Sequence, residues 1–169
     1  GALERNLVSP GRFDDFLAGD ASAPTAQEQK GLNTLVITGC GTCHTGPLVG
    51  GNSYQKLGLV KPWPNQTDVG RSAIVGNDAF KMFFKVPSLR NIEKTGPYFH
   101  DSSAKTLEAA VKKMAKHQLG RELSGEQLRD IVSFLKSRAG KKPAEYNEKR
   151  LFQDVSALNC GRIKIHLGG

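Results

Sequence analysis

The hydrophobic pattern of the chain predicts three helices, over residues 25–39, 105–118 and 124–139. Within each stretch, apolar residues recur three and four positions apart and would share one helix face: Leu32, Leu35 and Val36; Leu107, Ala110, Val111 and Met114; Leu128, Ile131, Val132 and Leu135. The first and third helices also begin with a capping-box pattern, Thr25 with Glu28 and Ser124 with Gln127. The pattern therefore indicates an all-α protein.

The stretches around these helices are less regular. Residues 45–103 are rich in Gly, Pro, Asn and Ser and show little periodicity, which predicts a long irregular segment. Long ordered loops are usually functional, and this one could wrap the edge of a cofactor. We divide the chain into residues 1–20, which contain the end of an opening helix and a linker, a helical domain over 21–143, and a weakly patterned tail over 144–169.

Composition narrows the functional classes. The hydrophobic share is 38%, below the usual ~45–50%, and no apolar run approaches the ~20 residues of a membrane span. The net charge is +8, with a pI near 9.5. Because the lysines and arginines are spread rather than clustered, we interpret the charge as a solvated surface and do not expect nucleic-acid binding.

The strongest chemical signal is Cys40-Gly41-Thr42-Cys43-His44. A Cys-x-x-Cys-His pattern is typical of covalent haem c attachment, in which two thiols add to the haem vinyl groups and the histidine ligates the iron. A structural zinc site would need four ligands, yet the third cysteine, Cys160, stands alone. A thioredoxin-like site would need strand–helix–strand flanks, whereas helix and Gly-rich loop flank this motif.

A haem held by one histidine needs a second axial ligand or keeps an open site. Histidine and methionine together favour electron transfer, whereas an open site would permit peroxide or gas chemistry. Met114 on the apolar face of the second helix is one candidate, and Met82 in the long loop is another. Three further histidines compete: His117, at the edge of the same helix face as Met114, His100 and His166. The residues alone leave these alternatives open.

Beyond this motif, the chain resembles the C-terminal haem domain of the bacterial di-haem cytochrome c peroxidase family. The matching segments occur in family order over roughly residues 5–140: Gly11 to Asp20, Gly39 to Gly51, Lys85 to Asn91, Thr95 to Asp101, and Gln118 to Gly120. The resemblance implies a cytochrome c-like, all-α haem domain with a long irregular insertion between the Cys-x-x-Cys-His motif and the methionine helix. It also implies that Met114 is the second axial ligand of a high-potential haem.

The resemblance carries further expectations about cofactors, partners and location. It implies a small electron-donor redox protein, a second haem domain or a homodimer partner, and the periplasm, with the signal peptide outside this chain. The threonine and proline of the family's calcium site match Thr95 and Pro97, but its asparagine comes from a domain that this sequence does not contain.

The expected function follows from what the sequence lacks. It contains no second Cys-x-x-Cys-His motif, so the resemblance implies one haem and one-electron transfer rather than peroxide reduction by this chain alone. Two enzymatic alternatives stay open. The chain is then either half of a peroxidase completed by a separate haem domain, or a peroxidase or gas sensor with an open haem site.

Overall fold

In the computed structural model, residues 9–141 are described. The helices are α1 (Arg12–Leu17), α2 (Ala26–Ile37), α3 (Ser72–Val75), α4 (Leu107–Gln118) and α5 (Gly125–Ser137), with short 3₁₀ turns at Cys40–Thr42, Asp78–Phe80 and Ile92–Lys94. The predicted helical class and the three predicted helices are confirmed. Their ends differ from the predicted ones by one or two residues, the usual uncertainty at helix termini.

Side-chain caps determine where the three long helices begin. The Thr25 hydroxyl accepts from the Glu28 N–H at 3.2 Å while the Glu28 carboxylate accepts from the Thr25 N–H at 2.8 Å. Ser124 and Gln127 form the same reciprocal pair at α5. These caps satisfy backbone N–H groups that have no partner inside the helix. Both predicted capping boxes are therefore confirmed.

The long segment after residue 45 contains structure that the sequence pattern did not predict. Strands β1 (Tyr54–Lys56) and β2 (Phe83–Lys85) form an antiparallel pair in which Gln55 lies opposite Phe84. Each strand has three residues, too few for a clear alternation of polar and apolar positions. The short helix α3 also lies in this segment, so the expectation of an irregular segment is correct for most of its length and wrong at α3 and at this strand pair.

The main core lies where α2 and α4 pack on α5. Gly31 marks the close crossing of α2 and α5, because a Cβ at this position would lie 2.0 Å from the Asp130 carbonyl oxygen. Phe13 of α1 packs edge-on against Phe134 of α5, with ring centroids 5.1 Å apart. A second, smaller cluster is formed by Leu57, Trp63 and Met82, with Phe84, Phe99 and Met114 packed against it.

Three predictions concern residues outside the described range. The end of the opening helix expected at the start of residues 1–20, the tail over 144–169 with Cys160, and the candidate ligand His166 all lie there. The three-part division of the chain stays a prediction. Within residues 9–141, no helix combines the length and hydrophobicity that crossing a bilayer would require.

Candidate functional site

A cavity of about 500 Å³ lies between the α2–α4–α5 core and the β1–β2 strands. Cys40, Cys43 and His44 line one part of it, and Met114 lines another. Most of the wall is apolar, and the lining residues between 9 and 141 include no aspartate or glutamate. Its volume and character fall within the range of typical cofactor sites, ~300–1,000 Å³ and mainly hydrophobic.

The motif residues are placed by the end of α2. Gly39 follows this helix with a φ of 100°, a left-handed conformation that suits glycine and ends the helix. The chain then turns through Cys40–Thr42, and the backbone N–H groups of Cys43 and His44 both donate to the Cys40 carbonyl, at 3.3 and 3.1 Å. This tight turn brings both sulfur atoms and the His44 ring to the cavity wall.

The two thiols have different surroundings. The Cys40 Sγ lies 3.5 Å from the Thr38 hydroxyl, and burial raises the pKa of the Cys40 thiol. The Cys43 Sγ accepts a long contact of 3.9 Å from the Gln55 amide on β1. Both cysteines are free thiols. The residues therefore fit a group that is attached through two sulfur atoms on one wall.

The His44 ring fits an iron ligand. Its Nδ1 is buried and makes no hydrogen bond of normal geometry within the described residues, although the carbonyl groups of Val49 and Pro87 lie beside it. Burial lowers the pKa of His44, with a smaller opposing contribution from these carbonyls. Neutral imidazole is the form that ligates a metal, and a nearby carbonyl orients the ring by accepting from the other nitrogen.

The structure distinguishes the two methionines as candidate iron ligands. Met114, half-buried on α4, lines the cavity and packs against the smaller core cluster. Met82 is 6% exposed, belongs to that cluster and is not a lining residue. Because Met82 packs among apolar side chains away from the cavity, its role is that of a core residue.

The structure also distinguishes the candidate histidines by whether they line the cavity. His117 does not line the cavity; its Nδ1 lies 3.1 and 3.0 Å from the carbonyl oxygens of Lys61 and Pro62, and its ring packs against Trp63. His100 does line the cavity, as an exposed ring stacked on Phe84 with centroids 4.3 Å apart. The structure thus places Met114 and His100, but not His117, in the wall.

The two residues predicted to bind calcium are at the edge of the same cavity. Thr95 and Pro97 are both exposed lining residues. The Thr95 hydroxyl donates to the Ile92 carbonyl at 3.2 Å. Between residues 9 and 141, no group of three or more His, Cys, Asp or Glu side chains could hold a metal ion. Calcium binding at these two residues stays a prediction.

Sequence reasoning missed the two glycines, Gly50 and Gly51, that let the loop after His44 pack closely against residues 86–87. Gly50 has a φ of 121°, and a Cβ there would lie 2.2 Å from the Pro87 carbonyl oxygen. The backbone N–H of Gly51 donates to the Val86 carbonyl at 2.9 Å, which ties the loop after His44 to the residue that follows β2. The Gly50-Gly51 pair was the available signal, because adjacent glycines often mark close backbone approach.

Several known proteins are similar in sequence to this chain. No protein-family model matches the chain. It is 48% identical over 143 residues to cytochrome c551 peroxidase of Nitrosomonas europaea, covering 83% of this chain and 43% of that protein. It is 42% identical over 143 residues to a cytochrome c peroxidase of Escherichia coli, covering 82% of this chain and 31% of that protein. The chain thus spans less than half the length of these relatives.

A solved structure supports the fold. The crystal structure of a MauG-like protein associated with microbial copper homeostasis matches with a TM-score of 0.61 and 24% identity, over 80% of this chain and 53% of that one. The helix-rich class is therefore shared with a solved protein. The chain is similar in sequence to bacterial cytochrome c peroxidases, as the sequence motifs predicted, whereas its assignment to the C-terminal haem domain stays a prediction.

Proposed function

We propose that this chain binds one haem c covalently and transfers single electrons. The observation that carries the proposal is the composition of the 500 Å³ cavity, whose wall contains Cys40, Cys43, His44 and Met114 and is otherwise mainly apolar. The similarity to named cytochrome c peroxidases supports the same cofactor.

Each of these residues has a defined part in the proposal. Cys40 and Cys43 would hold the haem through thioether bonds, and His44 and Met114 would be its axial ligands. Haem iron, when bound, supplies the one-electron couple. The protein would contribute an apolar wall that excludes water, and the Val49 and Pro87 carbonyls beside His44 would help to orient its ring. No acid, base or nucleophile is needed, because outer-sphere electron transfer moves no proton.

The proposal extends to the larger assembly. We infer a cytochrome c-like haem domain with an insertion between the Cys-x-x-Cys-His motif and α4, acting as the domain through which electrons enter a di-haem peroxidase-like protein. A small redox protein would be the donor, a second haem domain or a second copy of the chain the other partner, and the periplasm the compartment. Calcium at Thr95 and Pro97 belongs to the same set of predictions.

The test is the absorption spectrum of the purified, haem-loaded chain in the ferric and ferrous states. We expect one haem per chain, a low-spin six-coordinate spectrum, and a far-red methionine–iron band that Met114→Ala abolishes. Met82→Ala is the matched control, because Met82 belongs to the cluster against which Met114 packs but does not line the cavity. A high-spin ferric spectrum, or a band that Met114→Ala leaves intact, would refute the ligand assignment.

A second candidate function is peroxide reduction as half of an enzyme completed by a separate haem domain. It is favoured by the similarity to peroxidases, of which this chain covers 43% and 31%. The candidate predicts that the purified chain binds a second haem-containing domain and that the complex, unlike the chain alone, turns over hydrogen peroxide. A chain that reduces peroxide by itself would instead indicate an open haem site.

A further inference from the structure

Arg138, just after the end of α5, is a cation with no exposed surface. It follows Leu135, a cavity-lining residue, by about one helical turn. Its Nη2 donates to the Pro47 carbonyl at 3.1 Å, and its guanidinium carbon lies 4.5 Å from the centre of the Phe13 ring. The side chain is therefore held behind the cavity wall, against the loop that follows His44.

A second arginine lies in the same cluster. Arg90 directly follows Leu89, another lining residue, and binds Asp14 through two hydrogen bonds, Nη1 to Oδ2 at 2.9 Å and Nη2 to Oδ1 at 2.5 Å. The cluster therefore contains two guanidinium groups and one carboxylate. The Asp14 carboxylate forms its ion pair with Arg90, and Arg138 forms no ion pair with any of residues 9–141.

The hydrogen-bonding state of Arg138 agrees with this imbalance. Within the same described range, its Nε and Nη1 are buried without an acceptor, and so is the Nε of Arg90. Burial and then repulsion by Arg90 lower the pKa of Arg138 to about 10, and Asp14 opposes this only in part. The guanidinium is still charged near neutral pH. Among residues 9–141, the cluster consequently carries one positive charge more than its carboxylate balances.

This charge contacts the loop that follows His44, through the Pro47 carbonyl. Pro47 follows His44 by three residues, which limits their Cα–Cα separation to about 11 Å. The same loop is also held by Ser88, whose hydroxyl donates to the Leu48 carbonyl at 2.9 Å. Charges that are buried are screened much less by salt and water than surface charges. The excess charge of this cluster therefore interacts electrostatically with any change of charge inside the cavity.

We propose that Arg138 is a positioning residue that holds the loop after His44 through Pro47 and whose excess buried charge raises the reduction potential of the haem. This inference rests on the proposed function, since it needs a haem at Cys40, Cys43 and His44. Oxidation adds one positive charge to the haem, and a nearby buried cation opposes that charge. The ferrous state is thereby favoured, as expected of a centre that accepts electrons from a donor.

The experiment is a spectroelectrochemical titration of the haem-loaded chain and four variants. Arg138→Met removes the charge and keeps an apolar body of similar length, and Arg138→Lys keeps the charge. Lys136→Met is the matched control, because it removes an exposed cation on the same turn of the chain. Asp14→Asn removes the only carboxylate of the cluster. We expect a lower potential in Arg138→Met, values near the parent in Arg138→Lys and Lys136→Met, and a higher potential in Asp14→Asn.

The opposite signs separate a charge effect from loosened packing. Loosening that admits water would move Arg138→Met and Asp14→Asn in the same direction, and that result would overturn the proposal. So would an Arg138→Met potential equal to that of Lys136→Met, or an equal fall in Arg138→Lys. If Arg138→Met does not incorporate haem, the Asp14→Asn variant tests the proposal alone: a higher potential supports it and a lower one overturns it. Failure of the parent chain to bind haem would instead count against the proposed function.

Discussion

Gly50 lies against the ring of His44: a Cβ added to Gly50 would be 3.1 Å from the His44 Nδ1. The same Cβ would be 2.2 Å from the Pro87 carbonyl oxygen, the group that lies beside this nitrogen. The loop after the Cys-x-x-Cys-His motif thus returns within contact distance of the motif's histidine. The absence of a side chain at residue 50 is what permits this approach, so the orientation of His44 depends on it.

Gly50→Ala should therefore destabilise the haem-loaded chain by more than the strain of its backbone alone. Strain at such a φ costs ~1–3 kcal/mol, and displacement of Pro87 adds to it. The control is Gly19→Ala, which has a comparable φ of 111° and no atom within 4 Å of the added Cβ. Urea unfolding of the two variants checks this prediction. Equal losses of unfolding free energy would show that the contact with Pro87 and His44 is unimportant.

The crossing of α2 and α5 gives a second prediction. Gly31→Ala would place a methyl group 2.0 Å from the Asp130 carbonyl oxygen, forcing the helices apart. Overpacking of this kind typically costs ~1–3 kcal/mol or more. Gly125→Ala is the matched control, because its Cβ would meet only the flexible Arg129 side chain at 3.5 Å. Thermal unfolding followed by circular dichroism should show a lower midpoint for Gly31→Ala and little change for Gly125→Ala.

Acid unfolding should depend on Asp14. Burial alone would raise its pKa, but hydrogen bonds from Arg90 and the Gly11 N–H, with the charges of Arg90 and Arg138, hold it below its ordinary value of 3.8. A depressed carboxyl pKa contributes stability that is complete above pH 3.8 and is lost as the pH falls through the lower folded-state value. Asp14→Asn should therefore unfold with a shallower pH dependence below pH 3.8.

The control for this acid prediction is Asp15→Asn. Asp15 is the exposed neighbour of Asp14 on α1 and makes no salt bridge to residues 9–141. Urea unfolding at a series of pH values below 5 gives the free energy of unfolding of each variant. A pH slope that is the same in Asp14→Asn and the parent would contradict the assignment of acid sensitivity to the Asp14–Arg90 pair.

Trp63 provides a prediction about the methionine side of the cavity. It is 2% exposed, donates from Nε1 to the Asp101 carboxylate at 3.0 Å, and shares the smaller cluster with Met114. Trp63→Phe removes this hydrogen bond and leaves space in the cluster, at a cost of ~1–3 kcal/mol. We expect the far-red methionine–iron band to disappear at a lower temperature than in the parent chain.

The control for Trp63→Phe is Tyr54→Phe, which also replaces one aromatic ring by another but at a side chain that is 52% exposed. Surface substitutions of this kind usually change stability by no more than ~0.5 kcal/mol. The temperature at which the band is lost should consequently match the parent in Tyr54→Phe. Loss of the band at the same temperature in Trp63→Phe and the parent would mean that Trp63 does not support Met114.

The sequence by itself determined the features that depend on neighbours along the chain. Helical periodicity and the Thr25 and Ser124 caps located three helices, because both signals come from residues within one or two turns. The Cys-x-x-Cys-His motif is also local, so it predicted haem binding before any fold was known. The short strands β1 and β2 were missed because their pairing joins residues about 30 positions apart.

Tertiary structure alone decided which side chains reach the cavity. Met114 and His117 are three residues apart on α4, and periodicity cannot choose between them because it does not give the rotation of the helix against its neighbours. That rotation is settled by packing against α5 and by the carbonyl groups beside His117, contributed by a segment more than 50 residues earlier. The burial of Arg138 could not be predicted from sequence either, since its charge predicts exposure, whereas in the fold α1 and the loop after His44 cover it.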